Sequence, residues 1–196
     1  MRNILRNILK NRLALSTVIT TLIILVVAVL LAGVVTYFAI NVVSTRVQQE
    51  SLQVSNVHVW VDGTGTAEAA LMITNTGGRD VVINQIQVRG QSSDLTTNVY
   101  YATFATATGD AIPNSLGPVA TTSFATTDPF GTGSNYLANP SVDNLVLSSG
   151  GTMIVYITSP DSVTINDIGL TIGLTVFTAQ AMYYQETNVQ ATTTAL

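Results

Sequence analysis

The stretch LALSTVITTLIILVVAVLLAGVVTYFAINVVST, residues 13–45, passes thirty-three residues without a charge. A hydrocarbon core about 30 Å thick needs about 20 apolar residues to cross it as a helix, and this run exceeds that. No proline interrupts it, since all five lie at positions 113, 118, 129, 140 and 160, and Gly33 is its one glycine. One continuous helix from about Ser16 to about Gln53 is therefore expected, roughly 57 Å long at about 1.5 Å per residue. The polar turns STRVQQESLQ at its end would project beyond the apolar layer.

What flanks the run sets its direction. Arg2, Arg6, Lys10 and Arg12 precede it, so the positive-inside rule keeps residues 1–12 in the cytoplasm and sends the rest out. A secretory signal would carry an apolar region of roughly 7–15 residues closed by an A-x-A-like site. This run is about twice that length, and Leu31-Ala32-Gly33 offers no such site. Within it, Ala28, Ala32 and Thr36 recur at every fourth residue with Gly33 beside them. Such a small-residue stripe suits close helix contact, and it suits equally an ordinary anchor whose small residues face lipid.

A basic leader, then Ala14-Leu15-Ser16-Thr17-Val18-Ile19, then a long apolar helix and a β-rich remainder resemble an archaeal type IV pilin precursor. The resemblance is concentrated in residues 1–50. It implies that a prepilin peptidase cuts on the cytoplasmic side between Ala14 and Leu15, removing the leader and keeping the helix. Ile19, at the fifth position after that cut, favours the archaeal over the bacterial branch. The resemblance also implies the partners: other copies of the chain in a helical filament, the peptidase, a pilus assembly ATPase with its membrane platform, and the membrane itself before assembly. The phrase ITNTGGRDVVINQIQVRG, residues 73–90, further resembles the β domains of archaeal pilins and archaellins.

After Ser55 the period changes from helical to alternating. NVHVWV puts Val57, Val59 and Val61 on one face and His58 and Trp60 on the other. The turns Asp62-Gly63-Thr64-Gly65 and Asn75-Thr76-Gly77-Gly78 then join AEAALMIT and DVVINQIQV as further strands. Residues 92–140 are rich in Thr, Ser, Ala, Gly and Asn and read as long surface loops around one strand, LTTNVYYATFAT. DNLVLSS, TMIVYIT and INDIGLTIGLTVFTA follow, the last with Ile168, Leu170, Ile172, Leu174 and Val176 on its core face. The expected class is α+β, a hydrophobic helix followed by an antiparallel, Ig-like β-sandwich. The expected parts are a leader at 1–14, a membrane or filament-core helix at 15–54 and a surface domain at 55–196.

The chemistry of the domain excludes several function classes. Arg46, Arg79 and Arg89 face eleven acidic residues once the leader is set aside, so no nucleic-acid partner is expected. There is no cysteine, and His58 is the single histidine, which reads as a surface or filament contact rather than a metal ligand. Asp62-Gly63-Thr64-Gly65 lacks the further ligands of an EF-hand and the lysine of a P-loop, and reads as a hairpin turn. No catalytic constellation and no cofactor are expected. Asn139-Pro140-Ser141 is blocked as a sequon by its proline, which leaves the many Thr and Ser as candidates for O-linked glycans. The expected function is a structural subunit of an adhesive filament on an archaeal cell surface, with the cell membrane as the precursor's place. An archaellin of the motility filament shares the same plan. A third reading is an anchored sugar-binding module, for which Tyr100, Tyr101 and Phe104 would form the aromatic platform.

Overall fold

The computed structural model describes residues 2–47, 49–104, 112–131, 133, 135–141 and 143–196. Two compact units divide the chain, Met1–Arg46 and Val47–Leu196.

The first unit is carried by one helix, α1, Arg2–Val47. Many of its residues are β-branched, which lowers intrinsic helix propensity. An apolar segment has a stronger reason to be helical: the helix satisfies its backbone N–H and C=O groups internally. The helix ends at Val47, short of the expected Gln53, and the first strand starts at Leu52 rather than after Ser55. The boundary expected at 54/55 thus falls earlier. Leu52 is buried in the core of the second unit, and residues 52–55 pair with residues 72–75, so strand pairing captures turns that the helical pattern would have continued.

Among its described residues the second unit holds nine strands: β1 Leu52–Val61, β2 Ala67–Asn75, β3 Val81–Val88, β4 Gln91–Ser93, β5 Val99–Phe104, β6 Leu145–Leu147, β7 Thr152–Thr158, β8 Thr171–Thr178 and β9 Met182–Ala191. They form one continuous sheet in the order β4-β3-β8-β9-β1-β2-β7-β5, with β6 beside β4 on β3. The α+β class is as expected, but the sheet is a curled half-barrel rather than two discrete antiparallel layers. Its halves are joined by a short parallel pairing, Val59–Val61 of β1 with Val189–Ala191 of β9, while the other pairings are antiparallel.

Two cores follow from the side-chain patterns. β3 and β8 alternate, and Ile83, Ile86, Ile172, Leu174 and Val176 enter the first core together with Val59, Leu71, Ile73 and Val155 from the other half of the sheet. β2 and β7 are buried on both faces, which is why they read as nearly unbroken apolar runs. Their second face, with Trp60, Ala70, Met72, Ile154 and Tyr156, lies under Leu116, Phe124, Phe130 and Leu137. The segment expected to be surface loop therefore supplies the cover of a second core. Residues 112–131 of it, here called the strap, include a 3₁₀ turn at Thr121–Thr126 that places Phe124 inward.

Val59 and Val61 are buried on the expected face, with Val57 partly buried against the same core. A bulge between Ser55 and His58, with Asn56 at φ 49°, absorbs the irregularity. Asparagine is one of the residues that tolerates this left-handed conformation. Ile168 and Leu170 do not belong to the core face. They are 42% and 49% exposed, because a 3₁₀ turn at Ile165–Asp167 and Gly169 at φ 87° delay the strand to Thr171.

Candidate functional site: the apolar helix and the neck of the domain

Within α1, the thirty residues Ser16–Thr45 are long and apolar enough to cross a membrane, and none of this span is buried. Leu22, Ile24, Leu25, Leu30, Leu31, Val34 and Phe38 are each more than half exposed. Five of the polar side chains along it bond back to the helix itself. Thr20 Oγ1 donates to Ser16 O at 2.8 Å, Thr21 to Val18 O at 2.9 Å, Thr36 to Ala32 O at 2.8 Å and Thr45 to Asn41 O at 2.9 Å, and Asn41 Nδ2 donates to Tyr37 O at 3.0 Å. Each donor is thus satisfied without water, the condition that an apolar environment imposes on a hydroxyl or amide.

Ala28 and Ala32 come together in a shallow groove with Thr21, Ile24, Leu25 and Val29. Thr36 continues the stripe one turn further on. Gly33 lies about 100° round the helix from Ala32, with open space where a Cβ would stand, so it flanks the stripe rather than joining it. Ala14 and Leu15 lie within the helical backbone of α1, and their side chains lie outside the described ones.

The neck, residues 49–51, is fastened by the turn that follows β2. Thr76 N and Gly77 N both donate to Ser51 O, at 2.9 and 3.1 Å, and the hydroxyls of Ser51 and Thr76 are 2.8 Å apart. A Cβ on Gly77 would stand 2.9 Å from both Gln49 O and Ser51 N, closer than real Cβ atoms come, so this close approach needs glycine. Asn75 organises the turn from inside. It is 1% exposed; its Nδ2 donates to Arg79 O at 2.8 Å and to Leu147 O at 3.1 Å, and its Oδ1 accepts from Gly77 N at 3.0 Å. On the other side, the Glu50 carboxylate accepts from Thr178 Oγ1 and, at 3.5 Å, from the Tyr183 hydroxyl. The sequence marked Asn75-Thr76-Gly77-Gly78 only as a turn; the neighbouring ITN, with a polar residue closing an apolar strand, was the available signal.

The aromatic residues offered as a sugar platform are used inside the domain. Tyr100 stacks on Phe124 with ring centroids 4.5 Å apart, Phe104 stacks on Phe130 at 5.2 Å, and Tyr101 packs against the first core. His58 stacks on the buried Trp60 at 5.3 Å. The Asp62 turn is a hairpin turn, as expected. Its carboxylate accepts from Thr64 N, Thr64 Oγ1 and Thr66 N at 2.7–2.9 Å and from Leu196 N at 3.3 Å, and the Thr64 hydroxyl foremost holds it below the usual carboxylate range.

Sequence reading passed over Glu68. It is 1% exposed in the second core; its Oε1 accepts from Val119 N at 3.1 Å, and its Oε2 has no hydrogen-bond partner among the described residues. Burial pushes its carboxyl up to about 8. Burial and the Glu68 charge likewise raise Tyr156, whose hydroxyl donates to Gly117 O at 2.9 Å. Among the described residues, no group of three or more acidic or histidine side chains is placed to hold a metal ion. Compared with known protein families, the chain matches no family model, and none of the curated proteins matches it.

Proposed function

We propose that this chain is the structural subunit of an extracellular, archaeal type IV pilus-like filament used in surface attachment. The observation that carries the reading is the exposed apolar span Ser16–Thr45 with the hydroxyls of Thr20, Thr21, Thr36 and Thr45 bonded back onto the helix. Burying each Leu, Ile, Val or Phe side chain is worth about 1.5–3 kcal/mol. A span of such residues in water is therefore unfavourable by tens of kcal/mol, and an apolar partner must cover it. Lipid serves the precursor, and a bundle of identical helices serves the assembled subunit. Lipid tails and neighbouring side chains are similarly apolar, so close packing at Ala28 and Ala32 biases the exchange toward the bundle.

The basic leader and Ala14-Leu15 supply the likeness to archaeal prepilins, and with it the roles of the prepilin peptidase, the assembly ATPase and its platform. In this reading the domain is not an enzyme; it coats the filament and keeps the chain's polarity fixed. The anchored sugar-binding module loses its main support, because Tyr100 and Phe104 are engaged in the second core.

Two measurements test the reading together. Mass spectrometry of the mature protein should find Leu15 at its start. Ala32→Leu should be inserted and cut normally yet accumulate in the membrane while sheared filaments disappear, since the added bulk separates neighbouring backbones. A mature chain that keeps Met1, or filaments unchanged when both Ala28 and Ala32 are leucine, would overturn it.

A further inference from the structure

Glu68 occupies an unusual place. It stands on β2 with Trp60 of β1 and Thr158 of β7 as its register partners, on the face that the strap covers. One carboxyl oxygen accepts the strap's Val119 N–H, and the other has no partner among the described residues. The strap is also tied by Tyr156 Oη, which donates to Gly117 O, and by Asn56 Nδ2, which donates to Pro113 O at 3.2 Å. An ionised carboxylate in this position would lack the donors that burial of a charge demands.

The groups around it offer no compensation. No lysine or arginine occurs in β1, β2, β5, β7 or the strap. Among the described residues, the titratable groups on this face are Tyr156 of β7, Tyr100 of β5 and His58 of β1, which is stacked on Trp60; Asp62, at the end of β1, is engaged by Thr64, Thr66 and Leu196. Residues 112–127 of the strap contribute none, and Asp128 beyond them accepts from Phe130 N and Gly133 N within its own loop.

We propose that the strap is a proton-controlled latch: the neutral Glu68 carboxyl holds it closed, and loss of that proton releases it from β2 and β7, uncovering the apolar face of Trp60, Met72, Ile154 and Tyr156. Closed, the group keeps its proton up to about pH 8; open and hydrated, it loses it in the ordinary carboxylate range. Over that interval opening releases a proton, so the open fraction rises about tenfold per pH unit and levels off above it. The sign is that of an acid weakened by burial, with closure strongest in acid and declining as pH rises. This inference is independent of the filament reading.

Hydrogen–deuterium exchange on the full chain in detergent micelles reads the linkage directly. Base-catalysed exchange from a pH-independent opening gives a slope of about one for log rate against pH, and a proton-coupled opening adds about one more. Between about pH 5 and about pH 8, strap peptides containing Val119 and Phe124 should exchange faster than β3 and β8 peptides of the same molecule and show a slope near two, while β3 and β8 amides that exchange through local openings leaving Glu68 buried stay near one. In Glu68→Gln the strap slope should fall to one. A slope of one for the strap of the unaltered protein overturns the latch even if the variant fails to fold. A slope of two that persists in Glu68→Gln overturns it as well, by assigning the proton to another group.

Discussion

Asn75→Ala isolates what holds the neck. The substitution removes three hydrogen bonds, from Nδ2 to Arg79 O and Leu147 O and from Gly77 N to Oδ1, at a site that is 1% exposed. A typical intramolecular hydrogen bond contributes about 0.5–1.5 kcal/mol net, and an unpaired buried group costs more than a lost exposed one. Three such bonds give about 3 kcal/mol, which for a domain of this size corresponds to a fall in Tm of about 6–12 °C. Thermal unfolding of residues 49–196, followed by near-ultraviolet circular dichroism, measures it. The fragment must begin at 49, because a start at Asn56 would remove the part of β1 paired with residues 72–75. Asn75→Asp should cost still more, since it sets a carboxylate against the Arg79 and Leu147 carbonyls. Thr76→Ala, at an exposed hydroxyl, should stay within about 0.5 kcal/mol. A loss below about 1 kcal/mol for Asn75→Ala would mean that the backbone alone forms the turn and that the side chain is incidental.

Gly77→Ala should displace the neck, because its Cβ meets the backbone at Gln49 and Ser51; a cost of about 1–3 kcal/mol is expected, with faster amide exchange at residues 49–52 than in β3. Phe124→Ala removes a fully buried ring stacked on Tyr100 and tilted against Tyr156, and should cost about 3–5 kcal/mol. Because Trp60 shares that core, its emission should shift to the red in Phe124→Ala; an unchanged spectrum would show that the strap does not seal the second core.

The parts legible in the sequence are those in which one physical signal dominates. The charge-free run could only be an apolar helix, and the alternation in β1, β3 and β8 announced strands with one buried face. β9 was missed because its MYYQETNVQA buries only Val189 deeply, so no apolar period marks it; pairing with β8 and β1 makes it a strand. The strap was misread for the opposite reason. Its composition is that of a loop, and three well-spaced apolar residues, Leu116, Phe124 and Phe130, with Leu137 just beyond it, suffice to cover a sheet without any period. Glu68 was hidden inside AEAALMIT, where a single acid in an apolar run looks like the solvent side of a strand until both faces prove to be covered. At the candidate site, spacing alone brings Ala28, Ala32 and Thr36 to one side and sets Gly33 about 100° round from Ala32, but it could not show that the neck is pinned through Asn75.

The parallel pairing of Val59 with Val189 sets a timetable for the chain. β1 is among the first parts of the domain to be synthesised and β9 among the last, yet they are neighbours in the middle of the sheet. The β1–β2 hairpin can form as soon as it emerges, but the half-barrel cannot close until residues 182–191 are free to slot between β8 and β1. Sheets built from such distant pairings fold in about milliseconds to seconds, not microseconds. During that interval the two-faced strands β2 and β7 are uncovered and open to mispairing, and the polypeptide is still slack enough to be threaded through a narrow channel. On the proposed filament reading, export therefore precedes folding, with α1 delivered first and the domain locked by its final strand only after passage.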